Sequence, residues 1–178
     1  MDIDQETATA LGFPKPHYIN VERERRWLCE RVPTELIVAS EQISDLYVTG
    51  ARLRLRAARP LDGGPPMLRL TRKADVDRHT RLISSIYLPE DEFAVLSACL
   101  KGVTLTKLRH RLTAPAGVAM CVDVFLGALD GLALVEAEFK TMDALHAFPT
   151  PAFCAREVTT DLRFTGGRLV AEGLPKDV

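Results

Sequence analysis

Over much of the chain, apolar and charged positions alternate one for one, the period of a β-strand whose two faces meet different surroundings. Glu22, Glu24 and Arg26 share one such face, with Trp27 on the other. Arg52, Arg54 and Arg56 interleave with Leu53 and Leu55, and Arg69, Thr71 and Lys73 stand beside Leu68 and Leu70. Lys107, Arg109 and Arg111 form a fourth face. Val122-Asp123-Val124 sets one acid between two valines, and Leu134-Val135-Glu136-Ala137-Glu138-Phe139 sets two acids on one side. The period changes after Leu88: Pro89 at the first helical position, acids at 90–92, apolar Phe93, Leu96, Ala98 and Leu100, and Gly102 as a stop predict one clear helix. Residues 141–148 predict a shorter helix ended by Pro149 and Pro151. Residues 59–66 read as a loop, and 114–117 and 129–131 as hairpin turns.

What distinguishes these strands is segregation of sign. Surface faces usually mix charges with neutral polar residues, whereas here basic triplets and acidic pairs occupy different strands. A flat sheet with a second apolar face needs a covering layer, and too few helices are available to supply one. Closing the sheet into a barrel removes its edges and leaves open which face points inward, since a polar lumen needs something to fill it. Arginine and lysine inside a barrel need an anion, and carboxylates two apart suit a hard cation with oxygen ligands. The pattern therefore describes a tunnel holding phosphate and a divalent metal.

The 47% hydrophobic content suffices for a core, and 178 residues fit one domain. A net charge of −1, from 23 basic and 24 acidic residues, argues against a duplex nucleic-acid surface. No apolar run nears the roughly 20 residues of a membrane span, and the acidic, polar residues 1–12 predict no secretory signal. Cys29, Cys99, Cys121 and Cys154 are scattered, as reduced thiols of a cytoplasmic protein would be. His17, His79, His110 and His146 show no ligand spacing. The GxxxxGK[ST], HExxH and GxSxG motifs are absent.

In their order, these strands resemble the CYTH, or triphosphate tunnel metalloenzyme, superfamily. Val21 to Leu28 is similar to its ExExK opening strand. Arg54 and Arg56 match its RxR strand, Thr71 and Lys73 its TxK strand, and Lys107 and Arg109 its KxR strand. Asp123-Val124-Phe125 follows, then a match to LVEVEF over 134–139 and to EVTxD at Glu157, Val158, Thr159 and Asp161. The likeness covers residues 20–170 within a single domain of 1–178. It implies a mainly β fold, an eight-stranded antiparallel barrel with a few flanking helices. It also implies metal-dependent hydrolysis of inorganic tripolyphosphate or a related triphosphate, as in short bacterial members. On this resemblance Glu22, Glu24, Glu136 and Glu138 hold Mg²⁺ or Mn²⁺. Arg54, Arg56, Lys73, Arg81, Lys107 and Arg109 contact phosphate, and Glu24, Arg26, Asp123 and Glu138 serve catalysis. Arg163, near the C-terminal strand, is read either as a further phosphate contact or as a surface charge.

The chain departs from the family pattern twice. Arg26 stands where the family has lysine, and arginine cannot accept a proton. The fourth strand, RxExE in the family, keeps Arg81 but carries Ile83 and Ser85 in place of its acids. That loss predicts weaker water activation and admits a rival reading, a tunnel that binds polyphosphate or nucleotide with little turnover. An adenylate cyclase or thiamine triphosphatase of the same fold is a further alternative. A barrel edge or the apolar helix offers a surface for a homodimer.

Overall fold

A computed structural model describes residues 3–176; residues 1–2 of the acidic opening segment, and 177–178, lie outside the described residues. Nine strands, β1 (Asn20–Cys29), β2 (Ile37–Val48), β3 (Leu53–Pro60), β4 (Met67–Asp75), β5 (Thr80–Tyr87), β6 (Gly102–Leu112), β7 (Val118–Phe125), β8 (Ala133–Phe139) and β9 (Cys154–Glu157), dominate it. Four short helices flank them: α1 (Gln5–Ala10), α2 (Glu90–Cys99), α3 (Met142–Ala147) and α4 (Gly166–Glu172).

The strands run in the order β5-β4-β3-β2-β6-β7-β8-β1, and β1 returns to pair with β5. This closes an eight-stranded antiparallel barrel, the architecture that sign segregation and the resemblance both imply. Closure is made by β1, which pairs with β5 through residues 20–23 and with β8 through 24–28. The short β9 adds beside Trp27 to Cys29.

With the charged faces turned inward, the apolar core lies on the barrel's outside and at one end. Trp27, Val122, Val135 and Ala137 are fully buried on the outer faces of β1, β7 and β8, under Leu145 of α3. Trp27 has no hydrogen bond at Nε1, so its contribution is packing. Truncation to alanine is expected to cost about 3–5 kcal/mol, read as a lower denaturant midpoint; a change under about 1 kcal/mol would mean this cluster does not hold the barrel wall. At one end, the inward-facing Leu105, Phe125 and Leu134 meet Phe164 and Leu169 of the C-terminal segment. Ala8 and Phe13 pack against Ala74 of β4 and Leu82 of β5.

The local expectations hold with shifted boundaries. Pro89 is the extended cap residue before α2, which begins at Glu90, and the helix ends at Cys99. Gly102 stops nothing: it opens β6, where a Cβ would lie 2.1 Å from the Tyr47 carbonyl oxygen. Only glycine permits that approach. The helix expected over 141–148 spans Met142–Ala147, its N-terminus capped by Thr141, whose hydroxyl accepts from the Ala144 amide at 3.2 Å. None of the α2 residues is buried, so this helix lies lightly on the wall.

Candidate active site: a charged tunnel

Side chains that alternate along the eight strands line a cavity of about 790 Å³. Glu22, Glu24, Arg26, Arg54, Arg56, Lys73, Arg81, Lys107, Arg109, Glu136 and Glu138 all reach it. The strand register largely separates them by sign. The four glutamates belong to the adjacent strands β1 and β8, while β3, β4 and β6 present Arg54, Arg56, Lys73, Lys107 and Arg109; Arg26 of β1 and Arg81 of β5 are cations set among the glutamates. One lumen thus has an acidic wall and a basic wall.

On the acidic wall, Glu24 stands directly opposite Glu138, and Arg26 opposite Glu136. Lys73 Nζ donates to both Glu22 oxygens at 2.7 and 3.0 Å. Burial alone would raise the Glu22 pKa, but the charges of Lys73 and Arg81 outweigh it and hold the carboxyl below its ordinary value. Glu24 accepts from Arg81 and lies 3.0 Å from Arg26 Nε. Glu136 accepts from Arg109 at 2.6 Å. Burial opposes its ionisation as well, yet Arg109, Lys107 and Arg26 draw its pKa far down. Glu138 has no ion-pair partner among the described residues. Burial, with the carboxylates of Glu22, Glu136 and Glu24, pushes it up to about 7 against the pull of Lys73. Like charges set directly across two strands destabilise a sheet, and a cation between them removes the penalty. The carboxylate oxygens of this wall therefore fit a hard divalent ion.

The basic wall is held from behind. Asp123, 0% exposed, does not itself line the cavity. It accepts from Lys107 and receives both Arg109 nitrogens at 2.7 Å. It shares the inner face with Arg109, its partner across β6 and β7, and lies covered beneath the two cations it clamps. Asp45, also 0% exposed, does the same on β2: it binds Arg56 through two bonds of 2.6 and 2.7 Å and lies 3.5 Å from Arg54. Burial opposes the Asp45 charge, but Arg54 and Arg56 keep its pKa far below the usual range. Each aspartate thus holds a pair of basic residues two apart on the neighbouring strand. Cys121, Asp123 and Glu136 bring donor atoms within 4.8 Å of one another. Asp123 is already committed to two cations there, and burial pushes the Cys121 thiol well up, so a metal belongs with the glutamates.

The two departures are visible in place. Arg26 is buried and donates through Nη1 to the Phe164 carbonyl at 2.6 Å, which ties β1 to the C-terminal segment. Ile83 and Ser85 face the cavity on β5, and Ser85 Oγ shares a 2.9 Å hydrogen bond with Thr71. That inward face carries no carboxylate. Arg163, by sequence a phosphate contact or a surface charge, lies off the cavity wall and exposed, bound to Asp161 at 2.7 and 3.0 Å. The aspartate two residues before it, at the start of a 3-10 turn, captures its guanidinium.

Tyr47 lines the cavity from β2, and Asp45 shares its inward face beneath the basic side chains; their alternation with Leu46 is the available cue. Arg69 lines the basic wall in step with Thr71 and Lys73. Phe164 and Arg168 come from the C-terminal segment, whose turn and short helix carry no strand pattern.

No protein-family model matches the chain. A curated inorganic triphosphatase of Nitrosomonas europaea is 37% identical over 79 residues, and this match spans 44% of the chain and 52% of that protein. The chain thus spans about half the length of that relative. A crystal structure of the inorganic triphosphatase NE1496 superposes with a TM-score of 0.58 at 27% identity, over 84% of this chain and 93% of the other. The structure of the PH1819 protein of Pyrococcus horikoshii OT3 gives 0.56 at 22% identity, over 70% and 82%, a likeness of fold alone.

Proposed function

We propose that the chain is a member of the CYTH, or triphosphate tunnel metalloenzyme, superfamily, and that it hydrolyses inorganic tripolyphosphate or a related triphosphate with Mg²⁺ or Mn²⁺. The observation that carries this reading is the division of one lumen into an acidic wall on β1 and β8 and a basic wall on β3, β4 and β6. Residues 20–170 act as one tunnel domain in this account.

Glu22, Glu24, Glu136 and Glu138 would hold the metal. A bound divalent ion supplies charge neutralisation at phosphate oxygens and lowers the pKa of a water. Arg54, Arg56, Lys73, Lys107 and Arg109 would grip the phosphate chain, their guanidinium groups through paired N–H donors. Phosphoryl transfer asks mainly for positioning and charge stabilisation, so no protein nucleophile is required. Asp45 and Asp123 fix the basic residues before substrate arrives, which removes ordering cost at the moment of reaction. The contacts of Arg26 with Glu24 and Phe164 make it an orienting group for the acidic wall. Arg81 pairs with the buried Glu24. The four cysteines are free thiols, which supports a reducing compartment such as the cytoplasm.

The acid-free inner face of β5 favours a second reading, a tunnel that retains polyphosphate without turning it over. Phosphate release from tripolyphosphate with Mg²⁺ or Mn²⁺ separates the two, comparing the wild type with Ile83→Glu/Ser85→Glu. We expect release by the wild type that EDTA abolishes, and faster release by the double variant. Stabilisation by tripolyphosphate without any release would instead mark a binding tunnel. Neither release nor stabilisation would refute both.

A further inference from the structure

Arg69 is a lumen cation outside the strand motifs of the family. It lines the cavity on β4, in register with Arg56 of β3 on one side and Tyr87 of β5 on the other. Its Nε is buried and has no hydrogen-bond partner. The nearby buried acid, Asp45, is already bound bidentately to Arg56 and sits 3.5 Å from Arg54. Three guanidinium groups therefore converge on ground neutralised by one carboxylate. Burial and then the charges of Arg56 and Arg54 depress the Arg69 pKa, and the Tyr87 hydroxyl offsets this only in part. An inward guanidinium with an unused donor and cationic neighbours is complementary to an anion.

Position says which part of an anion. Lys73, on the same face of β4, contacts Glu22 of the acidic wall. Arg69 lies four residues further along, about 13 Å at the rise of an extended strand. A phosphate chain anchored by metal at the glutamates would pass Lys73 and then Arg54 before reaching it. Resting on the triphosphate reading above, we infer that Arg69, with Arg54 and Arg56, forms a distal phosphate subsite for the phosphoryl group farthest from the acidic wall. The subsite selects linear inorganic polyphosphate of three or more units over pyrophosphate. Arginine suits it, since its planar fork can span two oxygens of one phosphoryl group.

Calorimetric titration at fixed Mg²⁺ with pyrophosphate and with tripolyphosphate tests this on the wild type, Arg69→Gln and Arg69→Lys. Arg69→Gln is expected to weaken tripolyphosphate binding by about 10-fold, the loss of one charge-assisted hydrogen bond, and to leave pyrophosphate affinity unchanged. Arg69→Lys keeps the charge and loses the fork; it should fall between the two and stands in should the glutamine variant fail to fold. Equal losses for both ligands, or tripolyphosphate binding unaltered in the variants, would overturn the subsite while leaving the triphosphate reading intact. A wild type that binds neither ligand would overturn that reading, and the subsite with it.

Discussion

Glu138→Gln is expected to lower metal-dependent phosphate release by about 100-fold or more, exceeding the 10- to 100-fold typical for loss of a group one shell further from a metal. The reason is its position: Glu138 faces Glu24 across the β1–β8 pair and has no ion-pair partner among the described residues, only the more distant pull of Lys73. Its stability effect runs the other way. An ordinary glutamate has a pKa of 4.5, and in the barrel this one sits at about 7, so folding favours the protonated form. The group's contribution to stability is whole below pH 4.5 and is lost as pH rises to about 7. In chelator above that pH, the variant should therefore melt no lower than the wild type, and its decline across the window should be shallower. Full metal-dependent activity in Glu138→Gln would remove this residue from the metal site.

Asp45→Asn should produce the second large effect. Removing one member of a buried ion pair leaves uncompensated charge and typically costs about 3–5 kcal/mol. Here two guanidinium groups, Arg54 and Arg56, lose their only described carboxylate partner. The melting temperature should fall by about 10 °C. Tripolyphosphate should then restore more stability to the variant than to the wild type, because the ligand replaces the missing negative charge. A merely structural aspartate predicts equal ligand-induced shifts in the two proteins, and that result would remove Asp45 from the positioning of the basic wall.

Much of this barrel is legible because period-two alternation fixes which residues share a face, and segregated charge points to a closed barrel; that the charged face turns inward is seen in the structure. Glu22, Glu24 and Arg26 could be placed together from spacing alone, as could Lys107 and Arg109. What spacing does not reveal is who neutralises whom. Asp123 is expected among the catalytic groups, but only the β6–β7 register brings it beside Arg109 and shows it covered, holding Lys107 and Arg109. Asp45 stood as a lone acid between Ser44 and Leu46, and its role depends on β3 lying alongside with Arg56 opposite. Of the two readings of Arg163, the structure takes the surface charge, since its neighbour Asp161 binds it away from the lumen. The closing segment with Phe164 and α4 is tertiary in origin: its short helix is fixed by packing of Leu169 against the end of the barrel, not by a periodic pattern.

The most direct test of a divided lumen is a crystal structure of the wild type grown with Mn²⁺ and a slowly hydrolysed tripolyphosphate analogue, with anomalous scattering to find the metal. The account predicts a manganese peak among Glu22, Glu24, Glu136 and Glu138, with the phosphates extending along Lys73, Arg54 and Arg109. Manganese at Cys121 and Asp123, or phosphate bound only outside the barrel, would contradict it.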